Sequence, residues 1–477
     1  MLDAIGSRLD SLHVETGVTR LEKSTIYQAL ALTGILLFAA VLRFYKLGEW
    51  SFWIDEVLEI GYAQEAVSSF PFYPGLRVSL LVIAAALNHF GVSEWSARLA
   101  PALVGLLTLP VLYFPIRRLF GPFVALLAVL FLAISPWHLF WSQNARFYTF
   151  LLLFYTLGQL AFFFWLETNR FVYLVVAGLM LGLAALERMV AAFIAPAVLV
   201  YFIALFLLKF EKPEGLTLRN LALLAAPAVI FGLYQVFVDD FLGDFSFWIL
   251  GHQHDPVRVG LSIIYDTGLP LFLLAMLGGL FLVLQKSRSG LYLFLGALVP
   301  CLILVAIAPF TQAFSRYVFM VLPSFAILAA IAAREILTSA RGQMVVLAVF
   351  VLLAPFADAM SQNVLYYSFQ NGNRENFKAA FAQVAAQKAP GDVIYSTRER
   401  VGDYYMDEDI LASQDVKISD LNASTERKWF VMDNRSYISP ALQNWLDTRA
   451  ELKGVYDVYI PGKVMTMRVY LHDPGAP

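Results

Sequence analysis

Apolar runs long enough to cross a bilayer recur along most of the chain, broken by short polar links, and then stop. They predict spanning helices at 27–47, 98–116, 122–141, 148–166, 170–187, 189–208, 220–238, 263–285, 291–309, 318–334 and 343–360. The run at 78–90 is too short to span and ends in Asn88 and His89, so it reads as a membrane-lying helix within a first external loop, 48–97. Ahead of the first span, Leu2, Ile5, Leu9 and Leu12 recur at helical spacing among charged residues, which predicts a surface-lying amphipathic segment over 1–26. The first apolar run opens near Ile26 and is long enough to span, which argues for a retained anchor over a cleaved signal peptide.

This pattern predicts a polytopic α-helical membrane protein with about eleven transmembrane helices and its termini on opposite sides. Arg117 and Arg118, Lys209, Lys212 and Arg219, Lys286 and Arg288, and Arg334 and Arg341 all fall in links on one side, which the positive-inside rule assigns to the cytoplasm. Arg43 and Lys46, at the outer end of the first span, oppose that orientation and are read as snorkelling or as having a functional role. Past residue 360 the long apolar runs end and charged residues become frequent. Residues 361–477 therefore read as a small soluble extracytoplasmic α/β domain. Its elements are a helix with the stripe Phe377, Ala380, Phe381 and Val384, strands at 392–396 and 428–432, a helix at 440–448, and a hairpin turning at Pro461 and Gly462.

Composition agrees: 59% of the 477 residues are hydrophobic and 15% charged, with a mean hydropathy of +0.67. A net charge of -2 argues against a nucleic-acid partner. With a single cysteine, Cys301, the chain holds no internal disulfide and no cysteine-based metal site. No cofactor is called for. His252, His254 and Asp255, with Asp239, Asp240 and Asp244, match no well-defined metal-ligand spacing and read as a wet loop or a substrate rim. Asn422 and Asn434 begin tripeptides of the glycosylation-acceptor pattern, a weak signal.

The chemistry-bearing residues cluster at span ends on the external side. Asp55 and Glu56 stand among Trp50, Phe52 and Trp53, where a partly apolar setting raises the basicity of a carboxylate and suits it to act as a general base. The bland alternative is an acidic first turn complementing a helix dipole. Arg146, Arg188 and Arg316 fall on the same side by parity of crossings, and a guanidinium fork suits phosphate oxygens. Snorkelling to lipid headgroups is the ordinary reading of any one of them. Together these groups fit attack on a sugar carbon whose leaving group is a phosphate. No P-loop or dinucleotide fingerprint accompanies them, so an activated donor would have to be membrane-borne.

Residues 53–56, the stretch 90–99 leading into 117–121, Ser142 to Tyr148, and Arg316-Tyr317 run through the membrane region in an order that resembles the polyprenyl- or dolichyl-phosphate sugar transferases of the GT-C fold. That group includes protein O-mannosyltransferases and lipid A aminoarabinose transferases. The resemblance implies a glycosyltransferase in the cytoplasmic (inner) membrane that inverts the sugar carbon and uses a polyprenyl-phosphate-linked donor. Its acceptor would be an envelope glycan, a lipid or a protein. It implies Asp55 as catalytic base with Glu56 assisting, and Arg146, Arg188, Arg316, Arg77, Arg98, Tyr148 and Tyr317 around the donor phosphate. The chain departs from the family at Phe72-Tyr73-Pro74-Gly75, where members often carry His-Pro-Pro or Lys-Pro; Arg77 is the candidate replacement. A lipid or sugar-lipid transporter and a non-catalytic assembly subunit are the competing classes.

Overall fold

A computed structural model describes residues 25–73, 75–222, 253–433, 438–460 and 463–475. The expected amphipathic segment at 1–24, the span at 220–238 past residue 222, Asp239, Asp240, Asp244, His252, Asn434 and the turn at 461–462 lie outside the described residues. Along the chain come α1 (Thr25–Phe44), α2 (Ile54–Ser68), α3 (Val78–Phe90), α4 (Glu94–Phe120), α5 (Pro122–Ile134), α6 (Pro136–Ser142), α7 (Tyr148–Thr168), α8 (Phe171–Glu187) and α9 (Ile194–Leu207). After the undescribed stretch follow α10 (Pro256–Thr267), α11 (Leu269–Leu284), α12 (Arg288–Ile307), α13 (Leu322–Ser339) and α14 (Met344–Ser368).

Seven described helical stretches are long and apolar enough to span, or nine if each of two bent pairs counts as one span. Nine of the eleven expected spans have such counterparts; α8, at 17 residues, is a shorter apolar helix. The protein is a polytopic α-helical membrane protein. Two expected spans are corrected in shape. The run at 122–141 bends by 61° between α5 and α6, and the start of 263–285 belongs to α10, which meets α11 at 94°. Both breaks have a local cause, because Pro136 and Pro270 each lack the N–H that would continue the preceding helix, and Gly268 takes a positive φ of 88°.

The chain forms two compact units. The first comprises residues 1–43, 104–139 and 150–359. At its centre, α13 is buried on every side from Leu322 to Ala333, as a helix apolar all round must be. It packs tightly on α11, where a Cβ at Gly278 would lie 2.0 Å from the Leu328 carbonyl oxygen, so only glycine permits the approach. In the same unit Arg43 is fully buried. It donates to the carbonyls of Ala39, Leu132 and Ala133 and to Nδ1 of His138 at 2.9–3.3 Å, satisfying carbonyls stranded where α5 ends. This replaces the snorkelling role expected of Arg43.

The second unit comprises residues 44–103, 140–149 and 360–477. It holds α2, α3 and the C-terminal elements: α15 (Phe377–Gln387), β1 (Val393–Ser396), α16 (Glu399–Met406), β2 (Leu411–Ala412), α17 (Ile418–Ala423), β3 (Lys428–Met432), α18 (Pro440–Arg449), β4 (Glu451–Tyr456), β5 (Tyr459–Ile460), β6 (Lys463–Val464) and β7 (Met467–His472). Five strands form a mixed sheet in the order β2-β1-β3-β7-β4, parallel on the β1 side and antiparallel around β7. The period-two rule sorts its core. Trp429 and Val431 of β3 join Phe377, Phe381 and Val384 of α15 on one face, while Phe430 and Met432 join Leu442, Trp445 and Leu446 of α18 on the other. Ile54 and Val57, one helical turn apart on α2, pack against the first of these clusters, which fixes the rotation of α2 about its axis.

Candidate active site

With Ile54 and Val57 committed to the core, the carboxylates of α2 divide between two directions. Asp55 and Glu59, four residues apart, share one face; Glu56 points elsewhere. Glu56 is fully buried. Arg98 grips it in a two-pronged pair, Nε to Oε1 at 2.8 Å and Nη2 to Oε2 at 2.7 Å. The Ala145 N–H donates to Oε1 at 2.8 Å, and Arg374 lies 3.4 Å from Oε2. Burial alone would push the Glu56 carboxyl up, but Arg98 and Arg374 outweigh it and hold it below the ordinary value of 4.5.

Arg98 has no donor left for a phosphate. Its remaining N–H groups go to the carbonyls of Leu47, Trp50 and Ser51, and its side chain is wholly enclosed. The donor-phosphate role expected of Arg98 is therefore corrected to a structural one, and Glu56, sealed beneath it, has no surface on which to assist in proton transfer. Arg374 completes this knot by donating to the carbonyls of Gln143 at 2.6 Å and Gly372 at 2.7 Å.

On the other face Glu59 is also buried, yet between two arginines that reach it from different segments: Arg77 at 2.9 Å and Arg146 at 3.1 Å. Here burial outweighs both guanidiniums, and the Glu59 carboxyl is pushed above its ordinary value. Arg146 also donates to the Asp55 carbonyl at 3.0 Å and lies 3.7 Å from Asp55 Oδ2. Both guanidiniums rest over the ring of Phe147, 5.1–5.2 Å from its centroid. Asp55 retains 27% of its side-chain surface, against 0% for Glu56 and 1% for Glu59. The loop carrying Arg146 is pinned by Asn144, which accepts from the Trp53 indole N–H at 2.8 Å and donates to the Phe140 carbonyl at 2.7 Å.

Of the residues singled out in the sequence, the structure brings together Asp55, Glu56, Arg77, Arg98 and Arg146 in the second unit. Tyr148 is there too, but buried against Trp141, their ring centroids 3.8 Å apart. Arg188, at the C-terminus of α8, and Arg316 and Tyr317, in a 3-10 turn before α13, belong to the first unit. Arg316 stacks on Phe314 at 4.4 Å. His254 is held by the backbone, its Nδ1 lying 2.7 Å from the Ala313 carbonyl oxygen, and Asp255 caps α10 through the Val257 N–H. Sequence reasoning missed Glu59 and Arg374. Glu59 had a signal, its four-residue spacing from Asp55 on an amphipathic stretch, whereas nothing local marks Arg374.

A family model described as dolichyl-phosphate-mannose-protein mannosyltransferase matches residues 78–231. Across nearly its whole length the chain also superposes on ArnT from Cupriavidus metallidurans. The apo structure matches with a TM-score of 0.59 at 16% identity, covering 95% of this chain and 100% of that one. This chain has the GT-C fold. The undecaprenyl-phosphate-bound structure of the same ArnT matches with a TM-score of 0.54 at 15% identity over 95% and 99% of the two chains. The apo oligosaccharyltransferase of Archaeoglobus fulgidus shares this GT-C fold with a TM-score of 0.54 at 13% identity, over 80% of this chain and 63% of that one. No curated protein matches in sequence.

Proposed function

We propose that the protein is an inverting glycosyltransferase that moves a sugar from a polyprenyl-phosphate carrier to an acceptor at the extracytoplasmic membrane face. The observation that carries this reading is the difference among the three carboxylates at the start of α2: Glu56 and Glu59 are enclosed by arginines, while Asp55, next to Arg146, keeps 27% of its side-chain surface. An open carboxylate takes the proton from an acceptor hydroxyl or amine as that atom attacks the anomeric carbon. The bond from that carbon to the phosphate oxygen breaks, and the carrier phosphate leaves with the electron pair. On the Asp55 face, Arg146 and Arg77, which rest over the same Phe147 ring, supply the guanidinium charge suited to an anionic leaving group. The match to a dolichyl-phosphate-mannose transferase model and the likeness to an undecaprenyl-phosphate-binding ArnT support a lipid-phosphate donor. Arg188 and Arg316 remain candidates for the carrier phosphate on their charge and their place at span ends. The basic links support a cytoplasmic N-terminus and an extracytoplasmic position for residues 361–477.

The two bent helix pairs are the feature on which a sugar-lipid transporter reading would rest. One experiment separates the two: purified protein in lipid is given polyprenyl-phosphate sugar and extracted envelope glycans and lipids, and transfer is followed by mass spectrometry. Asp55→Asn is expected to lower transfer by about 10²–10⁴-fold while leaving the protein folded. Undiminished transfer by Asp55→Asn removes Asp55 as the base, and no transfer by the wild type with any envelope fraction moves the transporter reading ahead.

A further inference from the structure

Several basic residues that set the orientation of the chain are not dispersed along one face. Within the first unit, three links far apart in sequence converge on one cavity of about 740 Å³: the end of α4, the end of α9 and the turn between α11 and α12. They bring Arg118, Lys209, Lys286 and Arg288 to its wall, opposite Glu167 and Glu211, an excess of two positive charges. Phe163, Phe164 and Phe210 supply its apolar lining. Three of the four basic groups are held in place. Arg118 donates to the Tyr173 hydroxyl at 2.8 Å and lies over the Phe164 ring at 4.9 Å, and Lys286 donates to the Leu208 carbonyl while lying 5.0 Å from the centre of the Phe210 ring. Arg288 pairs with Glu167 at 2.7 Å.

Fixed cations around a roomy, partly aromatic cavity suit a phosphate ester. The segment beside it is apolar and open: Phe206 is 83% exposed and Leu207 67%, three and two residues ahead of Lys209. A cavity whose rim continues into a membrane-facing surface is reached from the lipid leaflet, where anionic headgroups are concentrated and acyl chains find an apolar wall. We infer that this cavity is a binding site for an anionic glycerophospholipid in the leaflet that the basic links face. The shared chemistry is a phosphate ester held by Arg118, Lys209 and Lys286, and the lipid tails distinguish this ligand from free phosphate. The site is independent of the carboxylates of α2 and of any transferase activity.

Purified protein in detergent, incubated with cardiolipin, phosphatidylglycerol, phosphatidylcholine or inorganic phosphate, is to be followed by native mass spectrometry, counting lipids retained per protein. Retention of the two anionic lipids over phosphatidylcholine is expected, and the double variant Arg118→Gln, Lys209→Gln is expected to weaken it by roughly tenfold or more. A companion Arg118→Lys, Lys209→Arg variant, which keeps both charges, is expected to retain lipid as the wild type does. Equal retention of phosphatidylcholine, unchanged retention by the neutral variant, or loss in both variants overturns the site. Displacement of the lipid by inorganic phosphate at matched concentration would make it a free-phosphate site instead.

Discussion

Glu56 and Glu59 differ by three residues and by the balance each strikes with its surroundings. Glu56 has a two-pronged arginine, a second arginine and a backbone N–H, and is held ionised below the ordinary value; Glu59, for which burial prevails, is pushed above it. The sign of each contribution follows. A carboxyl held low in the folded protein adds stability that is present above its unfolded value near 4.5 and is lost as pH falls through the lower folded value. A carboxyl pushed up does the reverse, favouring the folded state as pH falls through its raised value. At neutral pH Glu56→Gln is therefore expected to cost about 3–5 kcal/mol, since it leaves Arg98 and Arg374 buried without their anion. Glu59→Gln is expected to cost clearly less. Thermal unfolding at pH 7 checks the order, and equal losses would mean that the two environments do not differ as described. Asp55 and Arg146 stand out in the sequence as polar groups at the ends of apolar runs, and the structure brings them within 3.7 Å of each other. Arg98 was misread for a plain reason: an arginine at a span end looks the same whether it holds a phosphate or, as here, three carbonyls and a buried carboxylate.

Helices whose apolar surface is uniform say where the membrane is and little about where they bend. The runs at 122–141 and 263–285 each contain a proline that ends one helix and begins another, Pro136 and Pro270, and apolar length outweighed that signal. Most other elements, including the short apolar helix α3 and the helices and strands past residue 360, emerge close to where periodicity placed them, because each buries one regular face. The α5–α6 break depends on a device that periodicity does not reveal. In a membrane a carbonyl freed by proline has no water to turn to, and Arg43 of α1 supplies the missing donors to Leu132 and Ala133. Arg43→Met, similar in length and unable to donate, is expected to destabilise the first unit by about 1–3 kcal/mol for each carbonyl left bare. Loss of a comparable amount in thermal unfolding, with no change in charge-dependent lipid retention, is the result that fits; a neutral substitution would show that the break is satisfied in another way.

At the scale of the molecule, the second unit is assembled from three stretches of chain that the sequence separates widely, so residues 361–477 are joined to the 44–103 stretch by more than the chain between them. Tyr405 of α16 accepts from the Phe52 N–H at 2.7 Å and donates to Glu94 at 3.0 Å, and Lys378 of α15 pairs with the same Glu94 at 3.1 Å. Arg374 reaches the Gln143 carbonyl, 231 residues away along the chain, and the carboxylate of Glu56. Such contacts are invisible to any local reading, since neither partner carries a mark of the other. Their consequence is energetic coupling between the helix that bears Asp55 and the C-terminal stretch. A double-mutant cycle measures it directly: Glu56→Gln, Arg374→Met and the pair together, each followed by thermal unfolding and by sugar transfer. Because both residues belong to one buried ionic knot, the double variant is expected to lose less than the two single losses combined, by about 0.5–3 kcal/mol. Both single variants are also expected to slow transfer, because α2 would no longer hold Asp55 in place against Arg146. Strict additivity in stability would mean that Arg374 and Glu56 act separately, and that the C-terminal domain has no hold on the helix carrying the proposed base.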